Sequence, residues 1–270
     1  IELTITIPAA DVKKAWDQIV EETVKNTVLP GFRKGKAPKK LAEEKLDKEK
    51  VKEEVIKKLL PQFYAQAVNE HQLTPIIYPK VHLRQEDLAK DLSSGQHDLQ
   101  VIAQTCETPE ISLNGYKDSV RKITAKTKII VPGKVHPPAK FEDIVKALLD
   151  SVKVKIPQML VETEVDRLLS QTLDEIKKLG LTLDQYLTST GKTAEGLRGE
   201  YRAKAETDLK LEFTLRKIAE EEKITVNEQE LDEAIKKAQS EEERKNLTNN
   251  RYLLASILRQ QKTLDFIKNL

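Results

Sequence analysis

Residues 30–40 hold Arg33, Lys34, Lys36, Lys39 and Lys40 and no carboxylate. A lysine and arginine cluster can hold phosphate, and arginine can also form a bidentate pair with a carboxylate. Gly31 and Gly35 permit unusual backbone angles, and Pro30 and Pro38 stiffen the ends. Phe32 stands between Gly31 and Arg33. It reads either as a staple folding back onto its own domain or as a contact inserted into a partner. On the residues alone, a solvated basic turn is the reading that charge runs usually support, and an anion- or partner-binding loop is its alternative.

Other chemistry finds less support. Gly31 to Lys36 echoes a phosphate loop, but three residues separate the glycines where the nucleotide motif needs four, and Ala37 replaces the hydroxyl residue. His71, His82, His97 and His136 have no second ligand at helical spacing, so no metal site is expected. Cys106 lies in a strand-like run and reads as packing rather than as a nucleophile. As a lone cysteine it excludes an internal disulfide and fits a reducing compartment. No nucleophile elbow is present. Acidic side chains alternate with lysines and read as solvated helix faces with i,i+4 pairs. No cofactor is expected.

The elements that carry these residues follow from periodicity. Residues 2–7 alternate apolar and polar and predict a strand. From Asp11, Val12, Trp16, Ile19, Val20 and Val24 share one helical face. Residues 39–46 and 48–72 predict helices, the second carrying Val51, Val55, Ile56, Leu59, Leu60 and Phe63 and kinked at Pro61. Residues 74–83 and 97–106 predict strands joined by a turn at Ser93-Ser94-Gly95. That order predicts an α+β domain over 1–115. Residues 116–139 are basic, with Pro132-Gly133 and Pro137-Pro138, and read as a linker holding one or two short strands. From 140 to 270 the pattern is helical. Leu160, Val161, Val165, Leu168, Leu169, Leu173, Ile176 and Leu179 form a stripe ended by Gly180. Thr193 caps a helix to about 222, Asn227 and Glu230 form a capping pair, and residues 250–268 make the last helix.

Charged residues are 33% of the 270 and aromatics 4%, a composition of long charge-faced helices and an extended shape. Net charge is +2, so no global nucleic-acid signal exists. No run of about 18 apolar residues exists, so no membrane partner is expected. No signal peptide is visible, and a start at Ile1 leaves a removed leader open.

Gly31-Phe32-Arg33-x-Gly35-x-x-Pro38 resembles the G-F-R-x-G-x-x-P motif of the trigger factor family, ribosome-associated bacterial chaperones. Residues 155–169 and 197–231 are similar to the helical C-terminal domain of that family. The resemblance implies an α+β N-terminal ribosome-binding domain joined to an extended all-α C-terminal chaperone domain. It implies that Gly31, Phe32, Arg33, Lys34, Gly35, Lys36 and Pro38 contact protein and RNA of the large ribosomal subunit at the exit tunnel. It implies a cytoplasmic, ATP-independent chaperone whose helical arms shield hydrophobic segments of nascent chains. Trigger factors also carry a prolyl isomerase domain between the two parts. The 24 residues 116–139 fall short of the ~50 a domain needs, so no isomerase activity is expected. The alternatives are a prolyl isomerase whose middle domain lies outside this sequence, a periplasmic holdase with a similar cradle, and a plain RNA-binding protein. Ile156, Met159, Leu160, Leu253, Leu254 and Ile257 are the residues expected to touch clients. A homodimer is expected because an empty apolar cradle invites self-association.

Overall fold

The structure, a computed structural model, describes residues 1–26, 46–84, 92–128 and 140–270. The chain divides into two compact units, Ile1–Thr108 and Pro109–Leu270.

In the first unit three strands, β1 (Glu2–Ile7), β2 (Lys80–Leu83) and β3 (Leu99–Gln104), form an antiparallel sheet in the order β1-β3-β2. The β1 register pairs Leu3 with Ala103, Ile5 with Val101 and Ile7 with Leu99. All six are buried, so one face of the sheet is core, and a one-residue slip would turn that face to water. Two helices cover it, α1 (Ala9–Asn26) and α2 (Lys48–Glu70). Val12, Ala15, Trp16, Ile19 and Val20 of α1 meet Val51 and Val55 of α2 in one cluster with the strands. Asp47 caps α2 by accepting from the backbone N–H of Glu49 and Lys50. The helix runs on through Pro61. The predicted order of strand, helices, strand, strand is the order seen. The predicted helix at 39–46 lies, up to residue 45, outside the described residues.

Among its described residues the second unit is helical apart from a two-residue ladder, β4 (Ile111–Ser112) with β5 (Lys153–Val154). Its helices are α3 (Tyr116–Lys128), α4 (Phe141–Ser151), α5 (Gln158–Lys178), α6 (Leu183–Thr190), α7 (Ala194–Glu221), α8 (Glu228–Lys236), α9 (Glu241–Asn249) and α10 (Arg251–Lys268). Helix α3 corrects the reading of residues 116–128 as strand-bearing linker. Tyr116, Val120 and Thr124 recur every four residues and are buried, so helical period outweighed the β preference of valine, isoleucine and threonine. Tyr116 and Val120 join Ile144 and Leu148 of α4, Leu215 and Ile218 of α7 and Ile267 of α10 in one core. Val161, Val165 and Leu168 of α5 pack on Ala205 of α7. Leu231 and Ile235 of α8 pack on Leu254 of α10. Among the described residues no helix is long and apolar enough to cross a membrane.

Candidate functional site

The basic loop residues Gly31, Phe32, Arg33, Lys34, Gly35, Lys36 and Pro38 all lie outside the described residues. The elements on either side of them are described. Helix α1 ends at Asn26 and α2 begins at Lys48, and the two helices pack together over the sheet. Ion pairs on this helix pair are exposed, Lys25 to Glu21 at 2.8 Å and Lys58 to Glu22 at 3.9 Å, so the clamp is apolar: Val20, Val51 and Val55, with Val24 and Leu46 packed against them.

The six expected client residues separate into surface and core. Leu253 and Ile257 of α10 are 59% and 51% exposed. Leu160 and Leu254 are 6% and 8% exposed and belong to the interior. Ile156 is half-buried against the α5–α7 core, and Met159 is half-buried. The geometry of a helix explains the split within α10. Leu254 and Leu258 sit one position after Leu253 and Ile257, about 100° further round, and it is this second pair that packs on α8. Leu253 and Ile257 stay exposed and line a groove of about 460 Å³ with Asn246, Leu247, Asn250 and the edge of Leu254. Tyr252, 90% exposed, precedes Leu253 in the helix but lines a different groove, with Ala219, Val226 and Arg259.

Sequence periodicity missed a second apolar surface. Leu179 is 74% exposed, and Leu173, Leu181 and Leu183 are exposed as well. The turn that displays them is built, not frayed. Gly180 takes φ +72°. The Leu181 N–H donates to the Ile176 carbonyl at 3.1 Å and the Gly180 N–H to that of Lys177 at 3.0 Å, the two bonds of a Schellman stop. Thr182 then opens α6 with a reciprocal capping box to Gln185. A stop followed at once by a start fixes the leucines outward. The signal was in the sequence: leucines on both sides of a glycine, next to a threonine cap, have no room to reach a core.

Ion pairs brace the helices around these surfaces. Glu162 of α5 accepts from Arg198 at 3.0 Å and Arg202 at 2.5 Å. Its hydrogen bonds, first from Gln158 and then from Arg198, hold its carboxyl below the usual range. Tyr116 donates to Glu222 at 2.9 Å, and Lys117 reaches the same oxygen at 2.7 Å. Burial, then that bond, pushes the Tyr116 hydroxyl far up, and Lys117 holds Glu222 low. Lys262 bridges the Thr225 carbonyl and Glu230, both at 2.7 Å, and keeps Glu230 low. Lys210 donates to the carbonyl of Leu149 at 2.7 Å, near the end of α4. Each carboxylate here has a cation and a bracing role. Burial pushes the Cys106 thiol up, away from thiolate chemistry. Among the described residues no group of three histidine, cysteine or acidic side chains is placed to hold a metal.

Two family models match the chain. The one described as bacterial trigger factor protein covers residues 1–135, and the one described as bacterial trigger factor protein C-terminus covers 138–269. The trigger factor of Staphylococcus epidermidis RP62A is 21% identical over 412 aligned positions that take in 99% of this chain and 94% of the relative. That of Carboxydothermus hydrogenoformans is 24% identical over 409 positions, covering 99% and 96%. That of Staphylococcus carnosus TM300 is 34% identical over 115 residues, 43% of this chain and 24% of the relative. A solved structure, titled for promiscuous substrate recognition in folding and assembly activities of the trigger factor chaperone, superposes with a TM-score of 0.65 at 14% identity over 99% of this chain and 96% of that one. An alignment of 412 positions against a chain of 270 means at least 142 positions of the S. epidermidis relative have no counterpart here. The two family models meet across residues 136–137, which leaves no interval for a middle domain.

Proposed function

Because the chain belongs to the bacterial trigger factor family, we propose that it is an ATP-independent chaperone that docks at the ribosomal exit tunnel and shields apolar segments of emerging chains in the cytoplasm. The observation that carries the docking half is the loop Gly31-Phe32-Arg33-x-Gly35-x-x-Pro38, the most polarised short basic window of the chain, strung between α1 and α2. A basic tip on an RNA-rich particle binds through counterion release and loses affinity steeply with salt.

The exposed side chains Leu179, Leu181 and Leu183, and Tyr252, Leu253 and Ile257, support the shielding half. They are exposed, and Leu253 and Ile257 line an open groove that has both apolar and polar walls, which suits weak binding of varied hydrophobic segments. The same surfaces support self-association as a homodimer when no client is present.

Co-sedimentation with empty ribosomes over a salt series tests docking. The parent chain pellets at low salt and is released as salt rises. The triple variant Phe32→Ala, Arg33→Ala, Lys34→Ala keeps its helical circular dichroism and stays in the supernatant. Equal pelleting of the two proteins defeats the assignment of the loop as the anchor.

A further inference from the structure

The positive charge of this chain is not spread evenly. It holds 46 basic and 44 acidic side chains. Residues 30–40 contribute five basic and no acidic ones, and residues 116–140 contribute seven basic ones and only Asp118. The rest of the molecule is left with 34 basic and 43 acidic side chains. A chain that is acidic elsewhere therefore concentrates its cations in two places, and the docking reading uses only the first.

The second place contains a described element, α3. Its buried face is Tyr116, Val120 and Thr124 with Ile123. Its exposed face carries Arg121 and Lys122 with Ala125, and the helix continues through Lys126 and Lys128. Lys117 is already engaged with Glu222. Arg121 is held more loosely than several arginines of the second unit, while Lys122 is one of a number of lysines there with no ion pair among the described residues. Arg167, Arg198 and Arg244 reach carboxylates at 2.6, 3.0 and 3.0 Å. Arg121 reaches Asp118 only at 3.9 Å and is 57% exposed. Basic residues in the last turn of a helix complement its dipole. Arg121 and Lys122 lie mid-helix, where the dipole gives no such reason for them.

We propose that the outward face of α3, through Arg121 and Lys122, is a second polyanion contact that takes the phosphate backbone of RNA on the ribosome. The inference rests on the docking reading above and adds a site to it. The arginine can hold a phosphate bidentately and the lysine adds a point charge. Because the face carries no aromatic side chain on which a base could stack, the contact is blind to sequence and strengthens attachment rather than selecting it.

The test compares four full-length proteins by ribosome co-sedimentation between 50 mM and 300 mM salt: the parent, the loop triple variant, Arg121→Gln with Lys122→Gln, and Arg121→Lys with Lys122→Arg. Glutamine preserves helix propensity, and circular dichroism checks that the fold is kept. The expected result is about tenfold weaker binding by the glutamine variant near 0.1 M salt, with a plot of log affinity against log salt shallower by about one to two. The charge-conserving variant binds like the parent. Parent-like binding by the glutamine variant at every salt overturns the proposal and leaves the docking reading standing. Undiminished binding by the loop variant overturns the loop anchor, while a loss in the glutamine variant still supports α3. Vesicles of phosphatidylglycerol and phosphatidylcholine form a further arm. An equal loss on vesicles and ribosomes shows general anion attraction and overturns the assignment to RNA.

Discussion

Leu253 and Leu254 are adjacent leucines of α10 with opposite surroundings, and substitution separates them. Leu254→Ala removes a core side chain beside Leu231 and Ile235 and is expected to cost about 2–4 kcal/mol in urea unfolding. Leu253→Ala with Ile257→Ala should change stability by about 0.5 kcal/mol or less per site while weakening suppression of aggregation of an unfolded client. If the surface pair costs as much as Leu254→Ala, these residues are core and not client surface. Acid sensitivity belongs to this scale too. Glu162, Glu222 and Glu230 all titrate below the usual carboxylate range in the folded chain. The unfolded chain then binds more protons as pH falls, so their stabilisation is present above the ordinary carboxylate pKa and is lost as pH drops through the lower folded values. The urea midpoint should hold near neutral pH and fall below about pH 4.5, and the triple glutamine variant should show a flatter acid limb. A fall beginning near pH 6–7 would implicate histidines instead.

Elements were legible where their ends carry chemistry. Thr193, Asn227 with Glu230, and Gly180 mark boundaries that the structure reproduces to within a residue or so, because a cap is a local hydrogen bond and needs no distant partner. Helix α3 was not legible. Val120, Ile123 and Thr124 favour strand locally, and only packing on α4, α7 and α10 settles the period. The same limit applied to the candidate site. The sequence marks 250–268 as a helix that carries Leu253, Leu254, Ile257 and Leu258, but which of these α8 covers is a tertiary fact. The leucine turn between α5 and α6 makes an element-scale prediction. Gly180 sits at φ +72° and a Cβ there would meet nothing within 4 Å, so Gly180→Ala is strained by the backbone alone. It is expected to cost about 1 kcal/mol and to weaken client holding by loosening the display of Leu179 and Leu181. A neutral or stabilising result would show that the turn relaxes without them.

At the scale of the whole molecule, what this chain does without is as informative as what it keeps. The family models account for residues 1–135 and 138–269. Of the 24 residues first read as linker, 116–128 are α3 and belong to the core of the second unit. Only 129–139 remain between α3 and α4, far below the ~50 residues from which a domain with its own core is built. Isomerase catalysis needs a pocket that holds a twisted prolyl peptide. The described grooves of the second unit lie open between helices. The chain is therefore expected to leave the cis–trans rate of a proline-containing peptide at its uncatalysed value, tens to hundreds of seconds at 25 °C, while suppressing client aggregation without nucleotide. The two assays run on one sample decide the matter together. Holding without turnover means that the anchor and the helical unit suffice for chaperone action. Turnover in a sample that also holds clients would overturn the expectation, and loss of that turnover in the Leu253→Ala, Ile257→Ala variant would place the site in the helical unit.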